Sequence, residues 1–179
     1  MTHFCVFVLT NNGDMEEVDN LIESYSEDYK VAPYNYYPME QELKWMEEHF
    51  GTDNPNILLD HIGDWCGAEE GGVEDGKLYW TTTSNPDAKW DWNIIGGRWT
   101  GHWHPDDKMT ITEYDAVKDT AGCPFGVITP DGVWHERGEI LWFGGARDEM
   151  SGNVWEEEVD KLIQQYPQTT IVVVDCHGA

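Results

Sequence analysis

The order of apolar and polar positions assigns most of the chain to helices and strands. Residues 3–9, HFCVFVL, are apolar on both faces and rich in β-formers, which predicts a central strand. An NNGD turn follows. In MEEVDNLIESY, Val18, Leu21, Ile22 and Tyr25 recur at helical spacing behind acidic first-turn residues, which predicts a helix. KVAPYNYYP is a proline-bounded extended segment. MEQELKWMEEHF predicts a second helix, with Leu43, Met46 and Phe50 apolar and Gly51 as its stop. Residues 52–76 read as turn-rich and acidic, with GAEEGGVEDG the expected mobile loop.

The last third of the chain is the most regular. SGNVWEEEVDKLIQQYPQ sets Val154, Trp155, Val159, Leu162, Ile163 and Tyr166 on one helical face, and Pro167 ends it. TTIVVVDCHG predicts a second buried strand, in one sheet with residues 3–9. Between helix and hairpin signals, TPDG is a turn with a mechanism: Pro presets φ and Gly tolerates positive φ. It joins PFGVI to VWHERGEILWFGG as a hairpin and sets Val133, His135 and Arg137 on one face of the second strand. No repeat, low-complexity tract or linker divides the sequence. The expectation is a single α+β domain over residues 1–179, with a mixed or antiparallel sheet and helices mainly on one face.

Charge narrows the partners. Ten Lys and Arg face 35 Asp and Glu, a formal −25 with His neutral. Such a surface repels nucleic acid backbones and anionic membranes, and serves solubility, a basic protein partner or mimicry of DNA. No apolar run approaches the ~20 residues of a membrane span, and no secretory leader pattern opens the chain. Cys5, Cys66, Cys123 and Cys176 show no CxxC pairing, so they read as reduced, core or near-core thiols of a cytoplasmic protein.

Against that background KWDWNIIGGRWTGHW stands out, holding four of the ten tryptophans and one of only three arginines. Read as strands, Trp90, Trp92 and Ile94 share a face opposite Asp91, Asn93 and Ile95. Gly96-Gly97 allows a bulge or a close backbone approach. Beyond it Arg98, Thr100 and His102 line one face and Trp99, Gly101 and Trp103 the other. An arginine among indoles suits a phosphate or carboxylate held by the guanidinium and a flat base stacked on a ring. The structural alternative pairs Arg98 with Asp91.

The blocks MTHFCVFVLT, VAPYNYY, NPDAKWDWNIIGGRWTG, TPDGVWHERGEILWFGG and VVVDCHG resemble a family of mostly phage-encoded proteins that share a Trp-Asp-Trp…Gly-Gly-Arg-Trp core. That family is similar in turn to phage sponge proteins, which sequester cyclic dinucleotide signals of antiphage defence. The resemblance implies a small nucleotide ligand, a homo-oligomer and the host-cell cytoplasm. Arg98 and Arg137 would then meet phosphates, while Trp90, Trp92, Trp99 and Tyr34 would stack on or wall the bases. Thr100, His102 and His135 complete the candidate binding set.

Catalytic and metal readings are thinner. His102-x-His104 with Asp106 and Asp107 offers metal-type donors, as do His3, Cys5, Cys176 and His177 if the first and last strands are neighbours, but neither spacing specifies a metal. No phosphate-binding loop, dinucleotide fingerprint or nucleophile elbow is present. The leading expectation is therefore a non-catalytic sponge without cofactor, metal or nucleic acid partner. An acidic inhibitor of a host enzyme and a nucleotide-cleaving enzyme are the alternatives.

Overall fold

The computed structural model describes residues 3–66, 70–140 and 146–178, and of residues 64–66 the backbone alone. The fold is α+β, as the sequence pattern indicated. In chain order its elements are β1 (His3–Thr10), α1 (Met15–Ile22), β2 (Tyr34–Tyr36), α2 (Glu40–Phe50), α3 (Pro55–Cys66), β3 (Gly71–Glu74), β4 (Lys77–Thr82) and β5 (Trp90–Ile95). There follow β6 (Lys108–Thr110), α4 (Ile111–Ala121), β7 (Gly126–Ile128), β8 (Trp134–Glu136), β9 (Glu139–Ile140), β10 (Ala146–Arg147), α5 (Gly152–Gln165) and β11 (Thr170–Gly178). Contacts group the chain into two compact units, Met1–Tyr29 with Asn85–Ala179, and Lys30–Ser84.

The larger unit is built on a six-stranded mixed sheet of order β5-β11-β1-β7-β8, with β6 also beside β11. β1 lies in its middle, antiparallel to β11 and parallel to β7. That placement explains why HFCVFVL is apolar on both faces. Cys5, Phe7 and Leu9 pack with Val127, Ile171 and Val173 under α4 and α5, while Phe4, Val6 and Val8 pack with Val172, Val174 and Cys176 under α1. Of the α5 face read from the sequence, Trp155, Val159, Leu162 and Ile163 are in the core and Tyr166 packs at its edge, whereas Val154 is 49% exposed and points off that face. The TPDG turn joins β7 to β8, Gly132 taking φ 81° and donating its N–H to the Thr129 carbonyl. The second strand of that hairpin ends at Glu136: Glu139–Ile140 form β9, which pairs with β10 in a separate two-stranded sheet, and residues 141–145 lie outside the described residues.

The unit Lys30–Ser84 is a three-stranded antiparallel sheet, order β2-β4-β3, with a core of Met46, Leu58, Ile62, Leu78 and Trp80. Two segments here depart from the turn-rich reading of residues 52–76. Asn54 accepts the Asn56 N–H and Pro55 opens α3, where a missing N–H costs nothing. VEDGK is a tight hairpin between β3 and β4, with Asp75 at φ 50° and Gly76 at φ 78°. Residues 67–69 of the expected mobile loop lie outside the described residues.

Candidate functional site

β5 and β6 run along the same side of β11, β5 pairing with its second half and β6 with its first. Between them the chain leaves the sheet at Gly96 and returns at Asp107. Both ends are tied to one residue, since Gly96 donates its N–H to the Val173 carbonyl and Val173 donates to the Asp107 carbonyl. The excursion, GGRWTGHWHPDD, carries Arg98, Trp99, Thr100 and His102 of the residues singled out above.

Its path is set by two carboxylates. Asp175, 1% exposed on β11, accepts the Arg98 backbone N–H on Oδ2 at 2.9 Å. Asp107 accepts the Gly101 N–H on Oδ1 at 2.8 Å. Gly96 and Gly97 both adopt positive φ, 67° and 53°, and start a 3-10 turn over Gly97–Trp99. A Cβ on Gly97 would lie 2.5 Å from the Asp175 carboxylate, so this close approach needs glycine. The expected second strand with Arg98, Thr100 and His102 in a row is therefore not formed: the backbone turns instead of extending.

The turn places Trp99 and Trp103 over the α4/α5 side of the core. Trp103 is buried against Phe7, ring centroids 5.0 Å apart, and donates Nε1–H to the Gly122 carbonyl at 3.0 Å. Trp99 lies 6.2 Å from both Trp103 and His102. These three rings form one wall of a cleft of about 380 Å³. The other walls come from His3 and Cys5 of β1, Cys123 and Phe125 ahead of β7, and Arg137 and Glu149. This volume falls at the lower end of small-molecule sites, roughly 300–1,000 Å³.

Three of the cleft's polar side chains have fixed partners. His3 Nδ1 lies 3.0 Å from Asp175 Oδ1, and His102 Nε2 lies 3.0 Å from the Ala121 carbonyl. Arg137 Nε lies 3.2 Å from both the Met150 carbonyl and Glu149 Oε2, so much of its charge is met. The indole Nε1 of Trp99 is buried without a hydrogen-bond partner among the described residues. Neither thiol of the cleft is set up as a nucleophile: burial pushes Cys5 well above the usual thiol range, and burial followed by Glu156 raises Cys123. Burial raises Cys176 in the same way; the side chain of Cys66 lies outside the described residues.

Of the sequence candidates, the structure brings Trp99, His102 and Arg137 into this cleft. Arg98 stands exposed on the same turn, and among the described residues its guanidinium has no ion-pair partner. Asp91 pairs instead with His177, Oδ1 to Nδ1 at 2.6 Å. Trp90 and Trp92 do not share a face, because a bulge in the β5–β11 pairing between His177 and Gly178 reverses the alternation. Trp90 joins the α1-side core, whereas Trp92 is 43% exposed and stacks on His177 at 5.3 Å. Thr100 is exposed on the excursion, and His135 in β8, opposite Val127, does not line the cleft. Tyr34 belongs to the Lys30–Ser84 unit, in β2.

His3 and Asp175 are a hydrogen-bonded pair at the cleft that sequence reading missed. His3 had signalled only a metal-type donor beside the last strand. The strands are indeed neighbours, yet Cys176 faces the opposite side of the sheet from Cys5. Among the described residues no group of three or more His, Cys, Asp or Glu is placed to hold a metal ion. No described helix is long and apolar enough to cross a membrane.

Comparison of the chain with protein-family models, with curated proteins and with solved structures finds no match.

Proposed function

We propose that this protein captures a small nucleotide-like ligand, its base held in the cleft against Trp99 and Trp103 and its phosphate met at Arg98. One observation carries the reading: the turn that puts Trp99 into an aromatic cleft also carries, at the preceding position, an arginine without an acidic partner among the described residues. The other two arginines are paired, Arg137 with Glu149 and Arg147 with Glu139. Stacking of a base on an indole contributes on the order of 1–3 kcal/mol, and the guanidinium adds a planar, charge-assisted contact. With both cleft thiols held protonated, the chemistry favours holding a ligand over attacking it. Taken with the phage-family resemblance, the reading is a sponge that removes a cyclic dinucleotide or similar signal in the host cytoplasm, working as a homo-oligomer.

The test is to incubate the purified protein with mononucleotides and cyclic dinucleotides, then denature it and identify what is released. Intact ligand, recovered in stoichiometric amount, supports capture. Altered ligand indicates a nucleotide-cleaving enzyme. Absence of binding across the panel removes the nucleotide reading and favours the acidic inhibitor. Sedimentation of the same sample reads the oligomeric state.

A further inference from the structure

A carboxylate buried in the middle of a sheet has to be satisfied on both oxygens, and Asp175 is satisfied from two different walls of the cleft. Oδ1 holds His3 Nδ1 on β1, and Oδ2 holds the Arg98 N–H at the start of the Trp99 turn. An ionised carboxylate accepts hydrogen bonds and cannot donate them. The shared proton therefore belongs to His3 Nδ1, and in the neutral imidazole the lone pair is left on Nε2. His102 obeys the same logic with a backbone carbonyl as its partner: Nε2 donates to Ala121 and the lone pair stays on Nδ1. The two imidazoles lining the cleft thus each keep an acceptor nitrogen, beside the one buried donor without a partner among the described residues, Trp99 Nε1–H, while Arg137 Nε is engaged by Glu149 and the Met150 carbonyl.

We propose that Asp175 fixes His3 as a hydrogen-bond acceptor in the cleft, and that the cleft thereby selects ligands offering an amino donor, which for a nucleotide is the exocyclic amino group of its base. The choice of ligand rests on the nucleotide reading above; the tautomer does not. A base carrying a carbonyl at that position would set oxygen against the Nε2 lone pair, leaving both unsatisfied.

Asp175→Asn turns the idea into an experiment, because the new amide can be seated in one way only. The Arg98 N–H can only donate, so the asparagine carbonyl must face it, and the NH₂ group must face His3. His3 then needs its lone pair on Nδ1 and its proton on Nε2, which makes it a donor in the cleft. Two measurements read this out on the full chain. ¹⁵N NMR of the imidazoles, above the pH range in which imidazole titrates, should show His3 protonated on Nδ1 in the wild type and on Nε2 in Asp175→Asn. Titrations with AMP and CMP against their oxo counterparts IMP and UMP should favour the amino forms in the wild type by about tenfold or more. The variant should reverse that order.

A wild-type His3 protonated on Nε2 would overturn the proposal, as would an unchanged preference in a normally melting variant. Should Asp175→Asn not fold, the wild-type spectrum decides the tautomer. His3→Phe, which removes the acceptor, should then abolish the preference for amino forms, and a retained preference would overturn the selection. If none of the four nucleotides binds, the nucleotide reading and the base selection fall together, while the imidazole spectrum still decides whether Asp175 fixes His3.

Discussion

Gly97 occupies a position where only hydrogen fits, between Ile94 and the carboxylate of Asp175. A Cβ there would meet Asp175 at 2.5 Å and would also have to be carried at φ 53°. Gly97→Ala is expected to cost more than about 1 kcal/mol, read by urea or thermal unfolding. It should also loosen His3, whose partner is the displaced carboxylate. Arg98, one residue on, carries the opposite expectation. Its side chain is exposed, and Asp91, the carboxylate named as its structural partner in the sequence, is bonded to His177. Arg98→Ala should therefore melt like the wild type while losing roughly 1.5–3 kcal/mol of nucleotide affinity, about one to two decades. Arg98→Lys should recover part of that loss, since an ammonium lacks the planar fork. A large drop in melting temperature for Arg98→Ala would mean that the arginine serves the fold.

At the scale of elements, the buried stripe of α5 is the clearest case of sequence pattern becoming packing. Val159 is fully buried among Phe7, Trp155 and Ile163. Val159→Asp should destabilise by about 3 kcal/mol or more, because nothing there can pair with the charge, and a normal melting curve would contradict the assigned face. β1, β11, α1, α2 and the β7–β8 turn were legible for the same reason: periodicity and turn chemistry are local properties. The missed elements carried local signals too, namely Asn54-Pro55 before α3, Asp75-Gly76 between β3 and β4, and the Thr110/Glu113 capping box of α4. Thr110 bonds Glu113 strongly enough to hold its carboxylate below the usual range. The site was legible only in part. Trp99, His102 and Arg137 stand out by composition, but the sense in which Arg98–His102 runs depends on two glycines turning rather than extending. The His3–Asp175 pair is a product of strand register, which brings together residues 172 positions apart.

At the scale of the whole molecule, a formal −25 decides how binding responds to salt. The few cations are largely spent in local pairs: Lys118 with Asp160, Lys89 with Glu136, Arg137 with Glu149, and Arg147 with Glu139. An approaching anion therefore meets a repulsive long-range field, and only at short range the Arg98 guanidinium and the indole faces. Added salt shrinks the reach of that field, from about 30 Å at 0.01 M to about 3 Å at 1 M, and leaves stacking almost untouched. Nucleotide affinity should accordingly stay level or rise as salt increases across roughly that range, with faster association. An acidic inhibitor behaves in the opposite sense, because its attraction to a basic partner is the term that salt screens. Titrating one nucleotide and one basic protein over the same salt series separates the two. Nucleotide binding that collapses with salt would mean that Arg98 acts alone and that the aromatic cleft holds no base.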